Sequence, residues 1–383
     1  MAEPTSVLLT GASGYIGGSL LVYLLHKFDL KSQNIKLFTL VRKPEQVQEV
    51  VELGENVVPL LGDVQDAEEM KRLVVENSVS VVIETVDARH FPVAKHFIEA
   101  LCTVKERLGV PVHFIHTSGA KMFSSHVGVD QTSFLNDDGD VYTTVAGLDT
   151  RHPVMKQVCA LVPPFTCDDD VDALLQFVSL NNQIIDFAES KGVRAYIVAP
   201  PMVYGPGAGF GNKISIQIVA LVRVARALGQ LYQVDQTDTL WALMHIDDQV
   251  KLYATLLSNL IRLQAPYGRD GFYFSENGTF SWRSLSLAIV NALRKRNSLE
   301  TIQELPVATD DDLIAMGKVL GCDAGMVPVS LAGSCLIHGN NARKLGWVPQ
   351  HDVQHLMSQV DSEIEFIVKE DSSFASKSDL ALR

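Results

Sequence analysis

Residues 6–28 read SVLLTGASGYIGGSLLVYLLHKF. The run SVLLT is short, apolar and halted by a glycine-rich turn, the pattern of a strand buried on both faces. After the turn, Ile16, Leu20, Leu21, Leu24, Leu25 and Phe28 recur at helical spacing. Gly11, Gly14 and Gly17 sit between strand and helix. Gly11 permits a tight turn, Gly14 lets an anion approach the helix N-terminus, and Gly17 lets helix and strand pack closely. A tight turn without a ligand would use the same residues. A turn that follows a strand, opens an amphipathic helix and begins a long βα series favours phosphate binding.

The series continues from there. NIKLFTLV, NVVPLLG, VSVVIET and PVHFIHTS read as strands, with PEQVQEVVEL, DAEEMKRLVVEN and FPVAKHFIEALCTVKERLG as the helices between them. After a looser region, a helix over 171–190 and a sixth strand, VRAYIVAP, complete the pattern. Such alternation predicts an α/β fold with a parallel, doubly wound sheet covered on both faces. Beyond Pro200 the rhythm changes. PPMVYGPGAGFGN is a loop, helices are predicted near 213–228, 248–263, 281–296, 308–320 and 352–368, and GFYFSENG adds a strand. The expected division is a dinucleotide-binding domain over 1–200, a mainly helical substrate lobe over 201–370 that partly returns to the sheet, and a loose tail over 371–383.

The net charge of −13 opposes binding to nucleic acid or anionic membranes, although a local basic pocket can still take one small anion. The start, MAEPTSVLL, lacks a basic n-region and a long apolar stretch, so no leader is expected there. The apolar run ISIQIVALVRVARALG is broken by Arg223 and Arg226. Cys102, Cys159, Cys167, Cys322 and Cys335 are scattered, without metal-ligand spacing, which predicts no metal site, no disulfide framework and a cytoplasmic location.

The Gly-x-x-Gly-x-x-Gly spacing after Thr10 resembles the short-chain dehydrogenase/reductase superfamily, in its extended epimerase-like and NmrA-like branches. LVR, LLGDVQD, APPMVYGPGAG and WALMHIDD follow in the order of that family, so the resemblance spans nearly the whole chain. It implies a Rossmann-like domain with the dinucleotide held by Gly11, Ser13, Gly14, Tyr15, Ile16 and Gly17 of the turn. Asp63 and Val64, Thr85, Thr117, and Pro200 and Val203 follow at successive strand ends. The second strand ends in Arg42 and Lys43 rather than an acidic residue, which favours the 2′-phosphate of NADP over the free ribose of NAD; two solvated charges before Pro44 are the alternative. Asp66 is a predicted N-cap.

The resemblance also implies a catalytic site at the carboxyl edge of the sheet. Ser118 or Thr117 would hold the reacting oxygen, with Gly119 an alternative occupant of that position. His90 follows the fourth strand at the same edge, whereas the spacing of His113 and His116 within one strand makes them core or edge residues rather than a metal pair. Trp241 and His245 either line the substrate pocket or, for His245, pack beneath a helix capped by Asp247. Arg343 is expected on an exposed helix surface. The family's Tyr-x-x-x-Lys pair belongs on the helix before the sixth strand, at 172 or 173 and 176 or 177, within TCDDDVDALLQFVSLNNQIIDF (166–187). No tyrosine lies between Tyr142 and Tyr196, and Tyr23 with Lys27 sits on the wrong helix. Asp172 is a candidate replacement as proton carrier, or a solvated residue of the helix start. The resulting expectation is an atypical NADP(H)-dependent oxidoreductase, monomer or homodimer, acting on a small carbonyl, enone or alcohol. A redox-neutral isomerase, epimerase, lyase or cyclase and a non-catalytic NADP(H)-sensing protein are the alternatives.

Overall fold

The computed structural model describes residues 3–86, 88, 90–148, 179–296 and 305–374. Its first half follows the βα rhythm: β1 (Thr5–Leu9), α1 (Tyr15–His26), β2 (Ile35–Val41), α2 (Pro44–Leu53), β3 (Val57–Leu61), α3 (Ala67–Glu76), β4 (Val79–Glu84), α4 (Phe91–Leu108) and β5 (His113–Thr117). A long connection carries β6 (Leu135–Asn136) and α5 (Val141–Ala146). Then come α6 (Leu180–Lys191), β7 (Arg194–Ala199) and β8 (Met202–Tyr204). The second half contains α7 (Gln217–Leu228), β9 (Leu240–His245), α8 (Ile246–Ile261), β10 (Phe272–Phe274), β11 (Thr279–Ser281) and α9 (Trp282–Lys295). It ends with α10 (Asp310–Leu320), α11 (Met326–Leu331), β12 (Ile337–His338), α12 (Asn341–Lys344) and α13 (Val353–Phe374).

Seven strands form the main sheet in the order β10-β7-β5-β4-β1-β2-β3, all paired in parallel. The fold is therefore the Rossmann-like doubly wound α/β class. The chain winds outward from β1 to β3, then returns and winds the other way from β4, so the order reverses between β1 and β4. Strand alternation sorts the core into two layers. Leu8, Val82 and Phe114 pack with α3, α4 and α6, while Val7, Leu9, Ile83 and Ile115 pack with α1, α2 and α8. A smaller sheet, β11-β9-β8, and the β12-β6 pair lie beside this frame. β10, far along the chain, joins the main sheet next to β7.

Asp66 accepts from Glu69 N at 2.9 Å, the cap its sequence predicts. At α8 the cap differs. His245 occupies the N-cap and its Nδ1 accepts from Asp247 N at 3.2 Å, leaving Asp247 inside the first turn. Arg343 is not an exposed helix residue, because its guanidinium donates to Glu276 Oε1 and to the Glu276 carbonyl, each at 2.8 Å. The last helix runs to Phe374, beyond the expected end at 368, and Arg223 Nη2 donates to Asp371 at 2.8 Å. Among the described residues, no helix is long and apolar enough to cross a membrane.

His113 and His116 lie in the core. His113 Nδ1 pairs with the Tyr196 hydroxyl at 2.9 Å and His116 Nδ1 with Glu84 Oε2 at 2.9 Å. Burial, aided by Arg194, pushes His113 down to about 3. His113 is thus neutral in the fold and protonated in the unfolded chain between about pH 6.5 and 3. Its stabilisation is complete above that window and is lost as pH falls through it. Asp137 and Glu363, pushed up by burial to about 6 and about 7, act in the opposite sense. A His113→Gln variant should therefore differ from the parent in the slope of unfolding free energy between pH 4 and 6, by up to about 1.4 kcal/mol per pH unit. Denaturant titrations at several pH values read this, and identical slopes would place a protonated His113 in the fold.

Candidate active site

The turn after β1 is built as the glycines require. Gly11 has φ +73°, a conformation that a side chain strains. A Cβ on Gly17 would overlap the Gly11 carbonyl and the Thr85 hydroxyl. Thr85 Oγ1 donates to Thr10 O at 2.7 Å and Thr85 N donates to Thr10 Oγ1 at 3.2 Å, which locks the turn to the end of β4. Gly14 is the N-cap of α1, whose first-turn N–H groups have no partner within the helix. This is the reversal point of the strand order, where doubly wound sheets bind ligands.

Two cavities flank the turn. The first, about 230 Å³, is lined by Gly11, Ser13, Gly14, Arg42, Asp63, Val64 and Thr85, among others. Lys43 does not line it; it is the exposed N-cap of α2. The backbone N–H groups of Arg42 and Lys43 both donate to Gln46 Oε1, at 3.1 and 3.0 Å, which fixes the end of β2.

The second cavity, about 240 Å³, is lined by Tyr15 and Ile16 from α1, by Ser118 to Lys121 after β5, by Pro200, Pro201 and Val203, by residues 215–217 and by Trp241. Ser118 N donates to Val198 O at 2.8 Å and Ala120 N to Pro200 O at 2.9 Å, so the ends of β5 and β7 hold this wall together. Thr117 points away from it and pairs with the Tyr253 hydroxyl at 2.6 Å. Alternation along the strand thus gives Ser118 to the cavity and Thr117 to the core. Gly119 also lines the cavity.

A loop from Gly205 to Lys213 closes over the turn. Tyr15 OH donates to Gly205 O at 2.5 Å, Ala208 N to Ser19 Oγ at 3.1 Å, and Asn212 N to Ser13 O at 2.8 Å. Burial, together with Glu363 and Asp247, raises the Tyr15 phenol well above its usual value. A phenol that accepts a proton at neutral pH needs the opposite shift.

The remaining sequence candidates scatter. His90 is the half-buried N-cap of α4 and lines neither cavity. Asp172 lies outside the described residues, as do the positions expected for the Tyr and Lys of the pair. His245 also stands outside the cavity. Its ring lies 4.2 Å from that of His351, 5.4 Å from that of His355 and 4.9 Å from Tyr204. Burial and the neighbouring imidazoles push it down to about 4. Asp248 anchors this cluster by accepting from His351 Nδ1 at 2.9 Å and from Gln350 N at 2.7 Å. Burial opposes its ionisation, but these bonds outweigh it and hold the carboxyl below its usual value. No group of three or more His, Cys, Asp or Glu that could hold a metal is present among the described residues.

Lys121 and Ser215 are cavity residues that sequence reasoning passed over. Lys121 had one usable signal: it is a lone cation in GAKMF, three positions after Ser118 at the carboxyl edge of the sheet.

A family model described as "Polysaccharide biosynthesis protein" matches residues 7–105. The chain is 26% identical over 356 residues to the oxidase ucsJ from Acremonium sp., covering 89% of each chain. Among solved structures, it is similar to the PbgP3 protein from Burkholderia pseudomallei, with a TM-score of 0.62, 15% identity, and 96% of this chain and 98% of that one covered. It is also similar to UDP-glucose 4-epimerase from Bifidobacterium longum in complex with NAD+ and UDP, with a TM-score of 0.59, 16% identity, and 97% and 100% covered. These structural likenesses extend over the whole Rossmann-like fold.

Proposed function

We propose that the protein is an NADP(H)-dependent oxidoreductase acting on a small organic carbonyl compound or enone, of the kind found in the extended short-chain dehydrogenase/reductases. The observation that carries this reading is the meeting of two cavities at one glycine turn. Ser13 and Gly14 line the first, and the next residues, Tyr15 and Ile16, line the second. A dinucleotide laid across the turn would place its adenosine end beside Arg42 and Asp63 and its nicotinamide end beside Ser118, with the pyrophosphate on the α1 N-terminus. When bound, the nicotinamide supplies or accepts a hydride. The chain supplies the cradle, the closing loop and a Ser118 hydroxyl to polarise the substrate oxygen. Bound NAD+ in the Bifidobacterium longum epimerase structure supports the cofactor class.

NADP rather than NAD is favoured by the guanidinium of Arg42 at the end of β2. An Arg42→Ala variant should lose about 1–3 kcal/mol of NADP affinity, the worth of a charge-assisted bond, while NAD affinity stays nearly unchanged. Paired titrations measure this, and equal losses for both cofactors would remove Arg42 from the 2′-phosphate.

A redox-neutral reaction in the same cavity is the second reading. It draws on the lack of any tyrosine between Tyr142 and Tyr196, since a tuned phenol normally carries the proton in alcohol oxidation. Assays with NADPH across ketones, enones and simple alcohols separate the two. Substrate-dependent NADPH consumption supports the first reading, and turnover without net cofactor change supports the second.

A further inference from the structure

We propose that the second cavity binds the oxyanion of an acidic substrate, a carboxylate or an enolate oxygen, with Lys121 Nζ as its cationic anchor. The proposal rests on the reading of this cavity as the substrate site and adds the class of substrate it selects.

The first support is the donor set. Ser118 Oγ, Ser215 Oγ and Trp241 Nε1 are buried and have no hydrogen-bond partner among the described residues, and all three belong to the wall that Lys121 shares. Unpaired buried polar atoms are few in folded proteins, so three around one cavity call for an explanation. An indole N–H and an ammonium only donate, and the serine hydroxyls are rotors that can donate. Among the described residues that line this cavity there is no Asp or Glu. The set is complementary to a ligand that only accepts.

The second support is the lysine itself. It forms no ion pair among the described residues, and burial pushes its amine down to about 8. A cation held in a largely apolar wall with no counter-charge among the described residues is costly. A ligand oxyanion removes that cost. His126, the neighbouring base that feels this charge, is pushed down by burial and by Lys121, and its Nε2 is engaged by the Ala332 carbonyl at 2.9 Å. It supplies no anion.

The test is pH-resolved acetylation of the full chain, read at Lys121 by mass spectrometry, with exposed Lys31, at the opposite end of β2 from the cofactor turn, as internal control. The probes are phenylpyruvate and benzoate, each against its neutral counterpart, methyl phenylpyruvate and benzamide, with NADP present and absent. An oxyanion at the amine should raise its apparent pKa by about one unit or more. Because the free amine is the reacting form, that shift slows Lys121 acetylation about tenfold at pH 7.5. The acids should protect and the neutral probes should not. In Lys121→Met, the preference for acid over neutral probe in direct binding should vanish, whereas Lys121→Arg should retain part of it. Equal protection by acids and neutral probes, protection by NADP alone, or protection by none of them would overturn the proposal. Dinucleotide titration is a separate readout. Cofactor binding without acid protection defeats only the Lys121 inference, whereas acid protection without cofactor binding defeats only the oxidoreductase reading.

Discussion

Replacing Gly14 with Asp should abolish dinucleotide binding, weakening it by at least about 100-fold, while leaving the protein folded. Gly14 has φ −86° and ψ 168°, an extended conformation open to any residue, so the backbone itself does not resist the change. An added Cβ would lie 3.1 Å from the Gly11 carbonyl oxygen, a tight approach that a small shift relieves. Aspartate is moreover a favourable N-cap, and its charge suits the helix dipole. The same charge occupies the position where a pyrophosphate would sit and repels it. Binding and stability should therefore separate: calorimetric titration loses its signal while the melting temperature holds or rises. Gly17→Val should behave differently, because its side chain would drive into the Gly11 carbonyl and the Thr85 hydroxyl, costing the fold as well as the site. Parent-like cofactor binding by Gly14→Asp would place the dinucleotide somewhere other than the turn.

The glycine turn was legible because every part of it is local. A strand, a turn and a helix within residues 6–28 carry their own periodicity, and the order of later strands and helices fixes the sheet and its ligand edge. The cavity wall was less legible. Ser118 could be placed at a strand end, but the choice between Ser118 and Thr117 depended on which face of β5 meets Tyr253, a contact 136 residues away. His245 looked equally suited to a pocket or to packing beneath an Asp247 cap. The decision came from Asp247 N on one side and from His351 and His355, far along the chain, on the other. Lys121 has no periodic signature, because a short 3₁₀ turn over Ala120–Phe123 presents it to the cavity.

The connection between β5 and α6 read only as a looser region, yet it holds a residue with a large expected effect on stability. Asp137 is 1% exposed and its carboxylate accepts from Phe274 N at 2.9 Å, Asn340 N at 2.6 Å and Asn341 N at 2.9 Å. One side chain thereby ties the connection to strand β10 and to the start of α12. Asn341 reinforces the tie, donating to the Asp137 carbonyl and to Phe272 O, each at 3.0 Å. Removing the carboxylate leaves three backbone donors without this acceptor in a dry interior, and each unpaired buried group costs about 1–3 kcal/mol. Asp137→Ala should lose about 4 kcal/mol of unfolding free energy, a large share of the 5–15 kcal/mol typical of a domain. Asp137→Asn should lose about half of that. Its carbonyl can still accept from Asn340 and Asn341, where Oδ1 now sits, while its amide turns a donor toward Phe274 N, where Oδ2 now accepts. Urea titration of both variants measures the order. Dinucleotide affinity should change little under folding conditions, because Asp137 touches neither the 11–17 turn nor the first cavity. A loss below about 1 kcal/mol for Asp137→Ala would mean that water or a local rearrangement satisfies the three N–H groups, and that β10 holds its place in the sheet through its pairing with β7 alone.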